Sequence, residues 1–154
     1  MLRLLRTFFC LAALLGAGRT LLHAQDIGNP KEAWIYRLAT GWVDYSSPAL
    51  SPSGDTVYVG IVRQGSGRVL AIAAATGDKR WELTLPQRID STPTVAPNGT
   101  VYIGCYDGKM YALDPDPNKP DSQRVKWFKQ TDAPISSSAA IGADGTIYFG
   151  SGDE

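Results

Sequence analysis

Three stretches of this chain repeat one pattern: a Gly-Thr pair, a β-branched residue, a tyrosine, an apolar residue and a glycine. Ser53-Gly54-Asp55-Thr56-Val57-Tyr58-Val59-Gly60 matches Asn98-Gly99-Thr100-Val101-Tyr102-Ile103-Gly104 once Asp55 is treated as an insertion, and both match Asp144-Gly145-Thr146-Ile147-Tyr148-Phe149-Gly150. An internal repeat constrains a fold strongly, because each unit must bury its apolar face against its neighbours. Upstream of each copy stands a strand of small residues: Ser46-Ser47-Pro48-Ala49-Leu50, Ser91-Thr92-Pro93-Thr94-Val95 and Ser136-Ser137-Ser138-Ala139-Ala140. This alignment makes Pro48, Pro93 and Ser138 equivalent, at intervals of 45 residues. Tryptophan recurs at Trp34, Trp81 and Trp127, with spacings of 47 and 46.

Each unit reads as four short antiparallel strands. The first has strands near Ser47 to Leu50, Val57 to Ile61, Val69 to Ile72 and Arg80 to Thr84. The second has them near Thr92 to Val95, Val101 to Cys105, Met110 to Leu113 and Val125 to Lys129, with Asn98-Gly99 and Asp107-Gly108 supplying tight turns. No helical period intervenes. Four-stranded units of roughly 40 to 50 residues fit the blades of a β-propeller, whereas leucine-rich repeats are shorter and the helical repeats have another local pattern. The expected fold is therefore an all-β propeller segment of four-stranded antiparallel blades. Residues 44–86 would form one blade, 87–130 a second and 131–154 part of a third, preceded by a leader at 1–24 and an N-terminal segment with a closure strand at 25–43.

The stretch Ala71-Ile72-Ala73-Ala74-Ala75-Thr76-Gly77-Asp78-Lys79-Arg80-Trp81 resembles the PQQ-repeat signature A-x-D-x-x-T-G-K-x-x-W of quinoprotein-type propellers. Ala71, Thr76, Gly77 and Trp81 match, while Ala73 replaces the acidic residue and Asp78 the lysine. The second unit keeps Ala112 and Asp114 and carries a proline-rich insertion before Trp127. The resemblance covers the chain from about Trp34 to its end. It implies scaffold roles, with Thr76-Gly77 turning the chain between third and fourth strands and Trp34, Trp81 and Trp127 offering rings to the seams between blades. It also implies one of two functional classes: dehydrogenases that bind PQQ and Ca²⁺ on the propeller axis, or non-catalytic propellers that present a surface to partners. The dehydrogenases often carry adjacent cysteines, and here Cys105 is followed by Tyr106. The reading is a non-catalytic binding or scaffold module with protein partners, no bound cofactor and no assignable catalytic residue. Its alternative is a fragment of a PQQ- and Ca²⁺-dependent quinoprotein dehydrogenase.

Arg3 and Arg6 precede an uncharged run from Thr7 to Gly18, the order of a secretory signal. At twelve residues the run is shorter than the roughly 20 that cross a bilayer as a helix, so no transmembrane anchor is expected. Cleavage is expected after Ala24, leaving Gln25 first, with Gly18 as the alternative cut. Cys10 follows Phe8-Phe9 where a lipid-modified cysteine needs a small neighbour, so no lipid anchor is expected. The protein would be exported, to the periplasm or the extracellular space. Cleavage at Ala24 removes three of the fifteen basic residues and none of the fifteen acidic ones, leaving twelve against fifteen, a net charge of about −3. That balance lacks the clustered basic footprint of a nucleic-acid binder. The only histidine, His23, leaves with the leader, which excludes histidine-based nucleophilic and zinc chemistry from the remainder.

Other residues read as structural. Asp114-Pro115-Asp116-Pro117-Asn118 begins like a calcium loop, but Lys119 stands where glycine belongs and Val125 where glutamate belongs, so a stiff solvated insertion is expected. Cys105 is expected to be a small buried hydrophobe, and Tyr58, Tyr102 and Tyr148 to pack within blades. Asn98-Gly99-Thr100 is a glycosylation sequon that hairpin chemistry explains without a glycan. Ser151-Gly152-Asp153-Glu154 aligns with the turn into a third strand, so the chain is expected to be a piece of a longer ring. Ala33 to Arg37 would then be a fourth strand with no blade of its own here, completing the final blade of the longer parent, and without that partner loosely held or paired with the first blade.

Overall fold

The computed structural model describes residues 21–25 and 32–153. In chain order the strands are β1 (Leu21–Gln25), β2 (Glu32–Arg37), β3 (Ala49–Leu50), β4 (Thr56–Arg63), β5 (Ser66–Ala73), β6 (Lys79–Leu85), β7 (Thr94–Val95), β8 (Val101–Gly104), β9 (Lys109–Leu113), β10 (Val125–Gln130), β11 (Ala140–Ile141) and β12 (Ile147–Tyr148). Two complete antiparallel sheets, β3-β4-β5-β6 and β7-β8-β9-β10, stand between the two-stranded pairs β1-β2 and β11-β12. Helical structure in the described residues is one 3-10 turn, Asp121–Gln123, inside the insertion before β10. The all-β, four-stranded reading of the repeat thus holds.

Successive side chains on a strand point to opposite faces, and in these sheets both faces are covered. Along β4, Tyr58 points into a cluster shared with β8 and β9, whereas Val59 and Ile61 point the other way, toward Leu38, Trp34 and Tyr36. The core is therefore divided into three seams, one between each pair of neighbouring sheets. Tyr58, Trp81, Ile103 and Tyr111 fill the middle seam, and Tyr102, Met110 and Ile135 fill the seam toward the third unit. Each seam involves only adjacent units, which makes stability a chain of nearest-neighbour terms.

Polar stitches repeat with the units. The Gly60 N–H donates to Ser46 Oγ at 2.9 Å, Gly104 N–H to Ser91 Oγ at 2.9 Å and Gly150 N–H to Ser137 Oγ at 2.8 Å. Hydroxyls also tie the inner strands of neighbouring units: Ser47 N–H donates to Thr92 Oγ1 at 3.0 Å, and Thr92 N–H to Ser138 Oγ at 2.8 Å. These contacts correct the sequence alignment of the third unit by one residue. Ala49 and Thr94 lie opposite Tyr58 and Tyr102, and the residue opposite Tyr148 is Ala140. Ala139, not Ser138, is thus equivalent to Pro48 and Pro93. The corrected interval from Thr94 to Ala140 is 46 residues, the same as that from Trp81 to Trp127, so the third unit follows the tryptophan spacing rather than the interval of 45.

The strand expected to lack a sheet of its own has one. β2 pairs with β1 antiparallel, with Ile35 opposite His23 and Trp34 opposite Ala24. β1 lies across the expected leader boundary at residues 24 and 25, and residues 1–20 of the expected leader lie outside the described residues.

The glycine ending the repeated motif is fixed by close approach. A Cβ on Gly104 would lie 2.4 Å from Ile135 Cγ2, in a seam where Ile135 is fully buried. Gly104→Ala is therefore expected to cost about 2 kcal/mol through overpacking. Chemical denaturation should show that loss, and the double variant with Ile135→Ala should lose less than the sum of the two single changes.

Candidate functional site

The residues of the repeat signature converge on the seams. In three places the third and fourth strands carry the same bulge, which skips the residue before tryptophan. Ala24 faces Trp34 and Gln25 faces Glu32, omitting Ala33; Ala71 faces Trp81 and Ile72 faces Lys79, omitting Arg80; Ala112 faces Trp127 and Leu113 faces Val125, omitting Lys126. The bulge re-aims its neighbours. Arg80 Nη1 donates to Thr56 Oγ1 at 2.8 Å, and Lys126 Nζ to Thr100 Oγ1 at 3.0 Å, so each bulged cation holds the threonine of its own repeat motif.

The same register builds an aromatic row. Ala71 lies between Tyr58 on β4 and Trp81 on β6, and the two rings meet with centroids 5.7 Å apart. Ala112 lies between Tyr102 and Trp127, whose rings are also 5.7 Å apart. A small residue between two aromatics lets them touch over the middle strand, a contact worth about 1 kcal/mol beyond burial.

Two of the repeat tryptophans then dock on the following unit. Trp34 Nε1 donates to the Ala74 carbonyl at 2.7 Å, and Trp81 Nε1 to the Pro115 carbonyl at 3.2 Å. Ala74 and Pro115 are both the third residue after the alanine of the row. Gly77 completes the first of these docks: its φ of +78° suits glycine, and a Cβ there would lie 2.8 Å from the Trp34 ring. Thr76 Oγ1 donates to Asp78 Oδ2 at 2.7 Å and so braces the same turn. Trp127 lacks such a dock among the described residues and is 43% exposed.

Asp114 begins the insertion, which folds around a guanidinium. Arg124, 1% exposed, donates Nη1 to the carbonyls of Asp114 (3.0 Å) and Asp116 (2.9 Å), Nη2 to that of Lys119, and Nε to Asp121 Oδ1 at 3.2 Å. Its planar group also stacks on Trp81, 4.2 Å from the ring centroid. The oxygen-rich segment that begins like a calcium loop thus gathers its carbonyls on an internal cation. Asp114 itself accepts from Lys119 Nζ at 2.6 Å and from the Asp116 N–H, which hold its carboxyl below the usual range. Sequence reading passed over Arg124, and its signal was a basic residue closing an Asp-Pro-Asp-Pro insertion just before a repeat tryptophan.

Between β6 and the insertion lies an open groove of about 540 Å³, lined by Arg68, Lys79, Arg80, Glu82, Lys119 and Asp121 among others. Burial pushes the Glu82 carboxyl up, but hydrogen bonds from Arg68 and Lys79 outweigh it and leave the net shift downward. The groove is basic on balance, and it exists because the insertion overhangs the outer strand of the preceding blade.

Cys105 is buried at the end of β8, and its Sγ donates to the Gln87 carbonyl at 3.2 Å. In the third unit Ser151 Oγ makes the same bond, to Ala133 at 3.2 Å. The thiol therefore fills a structural hydroxyl position. Of the three repeat tyrosines, Tyr58 and Tyr102 are buried in seams, while Tyr148 is 60% exposed.

Four-stranded antiparallel blades joined by tryptophan docks on the turns of a repeated signature define a propeller of PQQ-like repeats. The family profile described as outer membrane protein assembly factor BamB matches residues 18–154, and the chain belongs to that family. The match includes β1, where Ala24, Asp26, Lys31 and Trp34 stand at the signature spacing of alanine, acidic residue, lysine and tryptophan, a fourth copy that sequence reading missed. The serine/threonine-protein kinase AfsK of Streptomyces griseus is 31% identical over 138 residues, covering 85% of this chain and 16% of the kinase. Among solved structures, a europium-containing methanol dehydrogenase superposes with a TM-score of 0.53 at 18% identity, covering 68% of this chain and 23% of that one. The Dos1 propeller gives 0.52 at 13% identity, covering 85% and 45%. At those identities the likeness is one of fold. The chain spans less than half the length of each of these relatives.

Burial raises the Cys105 thiol to about 12. The folded state thus keeps its proton over a range where an unfolded cysteine, with a pKa of about 8.5, loses it. The contribution is complete below about pH 8.5 and falls as pH rises toward 12, by at most about 1.4 kcal/mol per pH unit. Unfolding midpoints from pH 8 to 10 are expected to fall more steeply for the native chain than for Cys105→Ala.

Proposed function

We propose that this chain is part of an exported, non-catalytic propeller that binds protein partners as an envelope scaffold, in the manner that the family's description as an assembly factor suggests. The observation that carries the reading is where the signature side chains go. Trp34, Trp81, Thr76, Gly77 and Asp114 are all engaged in docks and turns, and this use of them supports a frame rather than a reaction centre. The partner surface proposed is the basic groove beside β6, which suits an extended segment carrying carboxylates.

The quinoprotein reading has less support. Cys105 is spent on a carbonyl and followed by Tyr106, Asp114 is held by Lys119, and among the described residues no three His, Cys, Asp or Glu side chains converge as metal ligands. These residues do not fit a PQQ and Ca²⁺ site. Purified protein supplied with both is expected to show no dye-linked alcohol or sugar oxidation, and measurable turnover would overturn the scaffold reading. A photo-crosslinker at Thr84, on the groove wall, is expected to trap a discrete protein adduct that the Arg68→Glu, Arg80→Glu double variant loses.

Export is proposed with the cut after Gly18. A cut after Ala24 would leave Gln25 alone of β1, whereas a cut after Gly18 keeps the whole strand. The exported form is expected to begin at Arg19 when its N-terminus is sequenced. A start at Gln25 would mean that β2 is exported without its partner.

A further inference from the structure

The groove beside β6 follows the edge of a sheet rather than one of its faces. Lys79, Arg80, Trp81, Glu82 and Thr84 all line it. Successive side chains on a strand point to opposite faces. Trp81 packs in the seam cluster with Val69 and Ala71, whereas Glu82 turns the other way and accepts from Arg68 and Lys79. Only the edge of a strand borders both faces at once.

That edge is free. β6 closes the sheet order β3-β4-β5-β6, and among the described residues no strand pairs with its outer side. An outer strand of this kind carries a row of backbone N–H and C=O groups that its own sheet does not use. Along the seven residues of β6 that row runs beside the groove, under the overhang of Pro117, Lys119 and Pro120. The two sides of the edge differ in chemistry. Arg68 and Lys79 stand on the side away from the seam, and the Trp81 ring and the prolines of the insertion stand on the other. A lysine and a bulge on an edge strand discourage pairing between identical edges. Lys79 and the bulge at Arg80 do so here, because two copies of β6 would bring like charges together. The same cations favour a strand of opposite charge.

We propose that the groove is a strand-addition site, in which an extended segment of a partner protein pairs its backbone with the free edge of β6 and becomes a further strand of that sheet. The proposal rests on the groove's being the partner surface. A strand in this place turns alternate side chains to its two faces. One set meets Arg68 and Lys79 and carries carboxylates, while the other meets Trp81, Pro117 and Pro120 and is apolar. The occupant is thus a segment in which acidic and apolar residues alternate, held through its backbone as well as its charges.

The test uses the 154-residue chain and a fluorescein-labelled peptide of about eight residues in which glutamate and valine alternate, within the usual length of a strand. Fluorescence anisotropy is expected to show saturable binding that added salt weakens and that a lysine-for-glutamate peptide lacks. Lys79→Glu is expected to weaken binding about tenfold, and the milder Arg68→Gln to weaken it in the same direction. Amides of alternate residues in a strand point to the same edge. N-methylation at the glutamates therefore removes donors from one edge of the peptide, and N-methylation at the valines from the other. One methylated peptide is expected to lose binding and the other to keep it. Equal effects of the two methylations, equal binding of the lysine peptide, binding that neither variant alters, or no binding of the parent peptide overturns the proposal. Charge-dependent binding with equal methylation effects removes strand addition alone, since the Thr84 photo-crosslink judges the groove as a partner surface separately. A Thr84 adduct of twice the 16.6 kDa chain mass assigns the edge to a second copy and also overturns the proposal.

Discussion

The structure depends on the dock between a tryptophan and the turn of the next unit. A single sheet of this kind has two apolar faces and no interior, so it cannot bury either face alone. In two of the three seams an indole packs between the sheets, while its N–H finds a carbonyl on the neighbour, as Trp34 does at Ala74 and Trp81 at Pro115. A buried indole N–H without an acceptor would cost about 1 to 3 kcal/mol, which makes the dock directional as well as apolar. The alanine between tyrosine and tryptophan, the glycine under the ring and the bulge that aims the strand all serve this one contact.

Because the dock is repeated, much of the architecture is legible from sequence period alone. Strand order, the tight turns and the seam role of the tryptophans follow from residues that recur at nearly constant spacing. What was illegible has physical reasons. The third unit was misregistered by one residue because a serine run offers several equivalent hydroxyls, and only the pairing of Ala140 with Tyr148 chooses Ser137 as the stitch to Gly150. β1 was missed because Leu21-Leu22-His23-Ala24 continues the apolar character of the run before it, although Ala24, Asp26, Lys31 and Trp34 stand at the spacing of the repeat signature. An apolar third strand and the end of a signal peptide look alike when read for hydropathy, and they separate when read for the tryptophan ten residues on.

Arg124 shows the limit of pattern reading from the other side. Its position belongs to an insertion that interrupts the period, so no repeat points to it. Yet it gathers three carbonyls, reaches Asp121 and stacks on Trp81 of the preceding blade. Burying a guanidinium is tolerated only when it is hydrogen-bonded on most sides, and the Asp-Pro-Asp-Pro segment supplies outward-turned carbonyls in place of backbone pairing. The insertion is thereby tied to the seam while its outer rim stays open.

That arrangement explains how a uniform frame acquires an individual surface. The repeated residues are consumed in seams, so variation is cheapest where the period is already broken. The groove beside β6 arises there, its floor from the frame and its overhang from the insertion. Its cations differ in freedom: Arg68 and Lys79 share Glu82, and Arg124 is enclosed, whereas the Arg80 side chain is partly exposed and bonded to Thr56 and Asp55 on its own blade. A carboxylate arriving in the groove would compete with Glu82 for Arg68 and Lys79 without breaking any seam. Along β6, Leu83 and Leu85 turn into the seam and Lys79 and Glu82 toward the groove, while Trp81 borders both.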